Sequence, residues 1–365
     1  MKDLLYISPS VIPSKSANSV HVMKMCNAFS KNGLSVELLC RKGFKKNEIF
    51  DYYGVEKNFV VTSLLGFKNT KLNSLIYAFL TLLYSIKGSF KNIYSRNQLS
   101  SIFILLFSKR SLFIELHAPP KGFYKLIFKY LVNKNRIKKI ILISHALKNI
   151  INDLKIFNDN ILVCHDGADL LNNNKNKIIF NKNYFDIGYV GHLYKGRGIG
   201  IIIELARKNQ RFNFHIIGGN KDDIVFWKKK VIHKNIIFHG HVEPKLVPIY
   251  LKNFDILIAP YQRKVQLANG LNTASWMSPL KIFEYMSANK PILTSDLFVL
   301  KEVLIHKVNA YLCNPDKLEE WDNGLKLLFS NSKFSKKISI NAYKDFLKLY
   351  TWSARSKLIL KYFEK

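Results

Sequence analysis

Residues 3–40 read DLLYISPSVIPSKSANSVHVMKMCNAFSKNGLSVELLC. The apolar run 3–8 fits a strand, 20–32 fits a helix closed by Gly33, and 35–40 fits the next strand. That is a βαβ opening, and the alternation continues along the chain. Further strands are expected at 92–95, 112–116, 139–143 and 160–164, with helical stretches between them. Strands that alternate with helices imply a parallel sheet wound with helices on both faces.

A second series follows the polar, Asn- and Lys-rich stretch 171–183, with strands expected at 186–190, 213–217, 236–239, 256–259 and 291–294. The economical reading is an α/β protein of two doubly wound domains. The expected division is a first domain over 1–170, a linker over 171–186, a second domain over 187–345 and a C-terminal helix over 346–365. No solenoid repeat of fixed period is visible. In such sheets ligands bind beyond the carboxyl ends of the strands, where loops meet helix N-termini.

The chain has 365 residues, and 57 Lys and Arg against 25 Asp and Glu give a net charge of +32. With 48% hydrophobic and 13% aromatic residues, intrinsic disorder is excluded and the charge belongs to a folded body. Such a body attracts polyanions: nucleic acid, an anionic membrane face or a phosphorylated small molecule. Lys, Asn and Ile are plentiful together, which an AT-biased genome produces without selection for binding, so composition drift competes with all three. No zinc finger, RNA-binding signature or continuous basic helix supports specific nucleic-acid recognition. Cys26, Cys40, Cys164 and Cys313 are widely spaced with no CxxC pair, which argues against a disulfide framework or a zinc site and for a reducing compartment. The N-terminus lacks the pattern of a signal peptide, so a cytoplasmic protein is expected. The longest apolar run, Leu75 to Ile86, falls short of the roughly 20 residues that span a bilayer, and a buried helix is expected there.

Four loops could hold chemistry. The loop from Ser8 to Ser19 feeds a helix start with small hydroxyl and amide side chains, Ser16, Asn18 and Ser19 among them, which suits a sugar or phosphate as well as an ordinary N-cap. Residues 187–200, IGYVGHLYKGRGIG, run from a strand through a Gly-punctuated turn that carries Gly191, His192, Lys195 and Arg197. Glycines let the backbone approach a ligand, and the two cations can neutralise a departing diphosphate. The turn is neither a Walker loop nor a GxGxxG fingerprint. Residues 278–302, SPLKIFEYMSANKPILTSDLFVLKE, place Ser278, Pro279, Leu280 and Lys281 at a helix start and Glu284 inside an otherwise apolar helix. A carboxylate there needs a partner, and paired sugar hydroxyls would serve; a solvent-facing Glu284 is the competing reading. His117, in ELHAPP, ends an apolar strand and can act as a base or hydrogen-bond a hydroxyl, with a structural histidine as the alternative. Arg96, in YSRN, ends a neighbouring strand.

In this order the motifs resemble the retaining nucleotide-sugar glycosyltransferases of family 4, which have the GT-B architecture of two Rossmann-like domains facing a central cleft. The resemblance covers nearly the whole chain: SANSVHVMKMCNAFSKNG for the acceptor loop and helix, ELHAPP for the central histidine loop, VCHDGAD for the hinge, YVGHLYKGRG for the phosphate loop, SPLKIFEYMSANKPILTSD for the donor helix, KVNAYLCNPD for the loop that closes it and TWSARSKLILKYF for the returning last helix. It implies that Lys195 and Arg197 grip the donor pyrophosphate, that Glu284 holds the ribose hydroxyls, that His117 lies near the transferred sugar and that the first domain binds the acceptor. The sequence departs from the family pattern twice. Trp276 stands where Glu is usual, and Gly191-His192 stands where Gly-Arg is usual.

The implied reaction is transfer of a hexose from a nucleoside diphosphate sugar to a saccharide or lipid-linked saccharide, with retention at the anomeric carbon. No cofactor and no metal is expected, because protein cations can stabilise the leaving diphosphate. Residues 121–139, KGFYKLIFKYLVNKNRIKK, repeat Lys121, Lys125 and Lys129 every four residues beside an apolar face. Such a helix suits the surface of an anionic leaflet, which would make the protein peripheral on the inner face of the cytoplasmic membrane; a core-packed helix with a solvated Lys face competes with that reading. A nucleotide-sugar epimerase of the same fold, or a homologue that only binds, remains the alternative function.

Overall fold

The computed structural model describes residues 2–43, 48–64, 71–132, 136–155, 160–171, 180, 184–267 and 270–363. The chain divides into two units, Met1–Asp166 with Trp352–Lys365, and Gly167–Thr351. The first division thus falls four residues before position 170, and the return to the first unit comes at Trp352, six residues after position 346.

In the first unit β1 (Lys2–Ile12), β2 (Val36–Lys42), β3 (Val60–Leu64), β4 (Phe90–Ser95), β5 (Leu112–Leu116), β6 (Ile137–Leu142) and β7 (Ile161–Val163) form one parallel sheet in the order β3-β2-β1-β4-β5-β6-β7. The helices between them are α1 (Ala17–Lys31), α2 (Ile49–Tyr53), α3 (Lys71–Lys87), α4 (Gln98–Phe107), α5 (Phe123–Val132) and α6 (His145–Asp153). Strand order reverses between β1 and β4, the point at which a doubly wound sheet opens to a ligand. Right-handed crossovers that step from β3 to β4, β5 and β6 put α3, α4 and α5 side by side on one face, and α1 on the other.

The second unit repeats the design. Strands β8 (Phe185–Val190), β9 (Phe212–Ile217), β10 (Ile236–Gly240), β11 (Ile256–Ala259), β12 (Ile292–Ser295) and β13 (Tyr311–Cys313) run parallel in the order β10-β9-β8-β11-β12-β13. Its helices are α7 (Ile199–Lys208), α8 (Lys221–Lys228), α9 (Val247–Asn253), α10 (Leu280–Ser287), α11 (Leu318–Ser330) and α12 (Ser332–Asp345), followed by a π-helical turn over Phe346–Tyr350. A final helix, α13 (Trp352–Leu360), belongs to the first unit and packs on α1. The core of the second unit joins Ile187, Phe214, Ile216 and Ile258 of its sheet to Trp321 and Leu325 of α11, all buried. The two-sheet α/β architecture is the one expected from the sequence.

Local differences from the expected pattern have physical causes. β1 continues to Ile12 through a register shift between Ile7 and Val11, because the Ser-Pro-Ser segment forms a bulge and does not end the strand. β3 is a half-exposed edge strand whose polar positions hide it, and β13 has three residues where the sequence suggests a loop. The helix expected over 121–139 ends at Val132, residues 133–135 lie outside the described residues, and Lys138 and Lys139 are in β6. Most of the expected linker also lies outside the described residues. The run from Leu75 to Ile86 is helical but not a buried helix: Leu75, Phe79, Leu83 and Ile86 are exposed. No described helix is long and apolar enough to cross a membrane.

Candidate functional site

In the second unit the strand order reverses between β8 and β11, and the turn after β8 meets the start of α10 there. Tyr189 donates to the carbonyl of His192 at 2.6 Å, while the Val190 N–H donates to Tyr285 Oη at 2.9 Å and Tyr285 donates to the carbonyl of Ile258 at 3.2 Å. Tyr285 therefore ties α10 to both strands of the reversal. Gly191 has φ +146°, and a Cβ there would lie 2.8 Å from Lys281 Nζ. Gly198, at φ +79°, begins α7, and a Cβ would lie 1.8 Å from the carbonyl oxygen of Pro260. A side chain at that position is excluded by both conformation and space.

The cations of this turn are arranged unequally. Lys195 is exposed. Arg197 is half-buried, its guanidinium 5.5 Å from the Tyr261 ring centroid, and its Nε has no hydrogen-bond partner. Lys281 is buried with its Nζ 3.7 Å from the Tyr189 ring centroid and 5.1 Å from that of Tyr261, again with no hydrogen-bond partner. Burial, and then the Arg197 charge, pull the Lys281 ammonium well below its ordinary pKa, and Glu284 opposes that pull. His192 stacks on Tyr194 at 4.7 Å, and burial followed by the charges of Arg197, Lys281 and His241 lowers it to about 4, so it is neutral at pH 7. Lys281 and a neutral His192 thus share a region that disfavours positive charge on either of them, and an anion there would favour their charged forms. α10 starts at Pro279 without a side-chain cap, with Ser278 buried beside it and Leu280 as its first residue. Its N-terminal dipole has the sign that attracts an anion. Glu284 sits one turn further on and is half-buried, so it is neither a solvent-facing nor a fully buried carboxylate. Trp276, eight residues before it, is half-buried in the turn that precedes the helix, its N–H donating to the Thr273 carbonyl at 3.1 Å.

The first unit presents a different chemistry at its own reversal point. Glu115, buried on β5, has Oε1 at 3.1 Å from Arg355 Nη2, 2.5 Å from His117 Nε2, 3.2 Å from His21 Nε2 and 3.6 Å from Arg96 Nε, and Tyr94 donates to its other oxygen. His21 Nδ1 lies 3.0 Å from Asp166. Despite burial, the charges of Arg355, His21, Arg96 and His117 hold Glu115 well below the ordinary carboxylate pKa. His117 is lowered to about 4 by burial and by Arg96 against the pull of Glu115. Arg96 Nη2 lies 2.7 Å from His117 Nε2 and 3.2 Å from Nδ1, and Glu115 Oε1 lies 2.5 Å from Nε2, so the ring is held between a guanidinium and a carboxylate. This arrangement makes His117 a held hydrogen-bonding group and leaves no ring nitrogen waiting as a free base. His21, Glu115 and His117 have ligand-type atoms within 4.8 Å of one another, as a metal would require. The guanidinium groups on Glu115 already supply the positive charge and oppose a second cation.

The Ser8–Ser19 segment is largely satisfied internally. Ser16 caps α1 through the Ser19 N–H, Ser19 donates to the carbonyls of Ser14 and Ser16, and Asn18 donates to Ser10 Oγ at 2.8 Å. The structure therefore brings Arg96 and His117 together, and separately Gly191, His192, Arg197 and Lys281; the exposed Lys195 is outside that second group. Sequence reasoning missed Glu115, His21 and Arg355. The signals available were a carboxylate inside the apolar strand LFIEL and an arginine on the last helix, each of which needs a buried partner.

Residues 172–345 match the family described as glycosyl transferases group 1. An uncharacterized glycosyltransferase of Haemophilus influenzae is 27% identical over 202 residues, which are 53% of this chain and 52% of that protein. The putative teichuronic acid biosynthesis glycosyltransferase TuaH of Bacillus subtilis is 29% identical over 113 residues, 30% of this chain and 26% of its own. The chain thus spans about half or less of the length of these curated relatives. In three dimensions, Anabaena HepE, solved in complex with UDP and glucose, matches with a TM-score of 0.74 at 14% identity over 99% of both chains. That likeness is one of fold, and the fold is GT-B.

Proposed function

We propose, from the match of residues 172–345 to the family of glycosyl transferases group 1, that the protein is a retaining glycosyltransferase. It transfers a sugar from a nucleoside diphosphate sugar to a saccharide or lipid-linked saccharide acceptor in the synthesis of a cell-surface polysaccharide. The observation that carries the reading is the pair Arg197 and Lys281, two poorly compensated cations on aromatic rings at the strand reversal of the second unit. A diphosphate supplies the missing negative charge. Its departure from the anomeric carbon is the difficult step, and fixed cations with the N-terminus of α10 stabilise the charge that develops. The acceptor oxygen bonds to the anomeric carbon as the bond to the diphosphate oxygen breaks, and the acceptor proton passes to that departing oxygen. Glu284 holds ribose hydroxyls, and His117, its ring nitrogens held by Glu115 and Arg96, lies near the transferred sugar. HepE, named above, was solved with UDP and glucose, and TuaH is named for teichuronic acid synthesis; both are consistent with this substrate class.

The test is a thermal-shift screen against UDP, GDP, ADP and CMP and their sugars, followed by donor turnover of Arg197→Ala and Lys195→Ala proteins. One nucleotide class should raise the melting temperature, and Arg197→Ala should abolish both the shift and turnover, with Lys195→Ala the milder change. The absence of any nucleotide shift, with wild-type donor turnover in both variants, refutes the reading. The anomeric configuration of the product, read by NMR, tests retention.

A further inference from the structure

The helix α3 is amphipathic in the wrong sense for a soluble surface. At about 100° per residue, Leu72, Leu75, Phe79, Leu83 and Ile86 fall within roughly 80° of arc, and all five are exposed, Leu72 at 65% and Phe79 at 50%. The face turned inward is the more polar one. Tyr77 donates to the carbonyls of Ser8 and Leu39, Thr81 pairs with Ser100, and Ser85 is buried. A helix that buries Tyr77, Thr81 and Ser85 and exposes Leu72, Leu75, Phe79, Leu83 and Ile86 has a second surface to cover.

Its neighbours extend the patch. α4 packs against both α3 and α5 and exposes Phe107 at 63%. α5 exposes Phe123, Leu126 and Tyr130 on one side of its axis, while Phe128 and Leu131 face the core. Around these residues the charge has one sign. Between positions 71 and 132 the only acidic residue is Glu115, which is buried, whereas Lys71 and Lys87 bracket α3 and Lys121, Lys125 and Lys129 line α5.

We infer that the outer face of α3, α4 and α5 docks the protein on an anionic lipid leaflet, with the apolar stripe of α3 entering the headgroup boundary and the lysines contacting the acidic headgroups. Apolar side chains on surface-lying helices bury in that boundary, and each nearby lysine adds attraction to anionic lipid. Two copies of the chain are a poorer occupant, because a symmetric interface would set like-charged lysines against each other. The inference deepens the lipid-linked acceptor of the proposed function, but it rests on different residues, and the test below uses no sugar nucleotide. Its failure is therefore separable from failure of the donor site.

The experiment is flotation of the full chain with phosphatidylglycerol-containing vesicles and with phosphatidylcholine vesicles at physiological salt. Binding is expected to the anionic vesicles only. Leu75→Glu with Phe79→Glu should lower the bound fraction at least about tenfold, with far-ultraviolet circular dichroism and melting temperature unchanged because both positions are exposed. Lys125→Gln with Lys129→Gln, which leaves the stripe intact, should weaken binding by about fivefold for each lysine removed. Failure to float with anionic vesicles overturns the inference. Flotation that survives Leu75→Glu with Phe79→Glu also overturns it, since net charge alone would then account for binding. A concentration-dependent dimer that Phe79→Glu dissociates would reassign the face to contact between copies.

Discussion

Replacing Lys281 by Met should make the unliganded protein more stable and its nucleotide complex weaker. Lys281 is 8% exposed, stands on the Tyr189 ring and has no hydrogen-bond acceptor on Nζ. A buried cation without a partner is costly, and exchanging such a group for an apolar side chain of similar length is neutral to stabilising by about 1–4 kcal/mol. Part of that gain is cancelled by the lost cation–π contact, worth roughly 1–2 kcal/mol when desolvated. The melting temperature of the Lys281→Met protein should therefore equal or exceed that of wild type by up to several degrees. With a nucleoside diphosphate present the order reverses, because a charge-assisted hydrogen bond to the diphosphate, worth about 1.5–3 kcal/mol, is absent. That is roughly a 10- to 150-fold weaker Kd. The pH dependence has a definite sign. With its folded pKa lowered, Lys281 binds fewer protons folded than unfolded between that value and the ordinary lysine range, so its contribution to stability rises with pH across that window. In the same window diphosphate binding takes up a proton, and wild-type affinity falls as pH rises while that of Lys281→Met changes less. Differential scanning calorimetry and isothermal titration of both proteins at two pH values measure all four quantities. A Lys281→Met protein that melts well below wild type yet binds nucleotide equally would make Lys281 a structural residue and refute the reasoning.

Gly198→Ala should destabilise the second unit by more than about 2 kcal/mol, because the new Cβ meets the Pro260 carbonyl in a left-handed conformation; urea unfolding measures it, and a change under 0.5 kcal/mol would count against the turn geometry. Glu115→Gln leaves Arg355 buried without its carboxylate and should cost about 3–5 kcal/mol, read from the same denaturation midpoint. His192 and His117 are neutral in the fold with values near 4, whereas the unfolded chain protonates them below about 6.5. Stability should accordingly fall as pH drops from 6.5 towards 4, and His192→Gln should make that fall shallower in melting curves taken across the range.

The fold was legible because both sheets are built from strands buried on both faces, which read as uninterrupted apolar runs such as LFIEL and DILIA. The strands that escaped are both at sheet edges: β3 has exposed and polar positions, and β13, apolar and mostly buried, has only three residues, too short a run to carry the signal. The residues at the strand reversal of the second unit stood out in the sequence because glycines, one arginine and a lysine in loops after strands are unusual. Their ranking did not. Lys195 and Lys281 look equivalent in sequence, and only the packing of Tyr189 and Tyr261 places one in a buried setting and the other at the surface. The apolar run of α3 misled for a related reason. Periodicity reports which residues share a helix face, but not which face meets the core, and here hydrogen bonds from Tyr77 and Thr81 turned the polar face inward.

The two units handle buried charge in opposite ways, and this difference suits them to different ligand chemistries. In the first, Glu115 and Asp166 are ionised and stand against Arg96 and Arg355, so the cluster is balanced before anything binds. An added anion or cation would upset it, whereas a neutral, hydroxyl-rich ligand would leave its charge unchanged. In the second, Arg197 and Lys281 stand near the single half-buried Glu284, and burial, followed by the charges of those two cations, keeps His192 neutral. That region is completed by negative charge. A sugar nucleotide carries its charge on the diphosphate and its hydroxyls on the saccharide, and a saccharide acceptor is mostly hydroxyl. The imbalance in the second unit and the balance in the first are what the proposed function requires of a unit that takes the donor's diphosphate and a unit that takes a hydroxyl-rich acceptor.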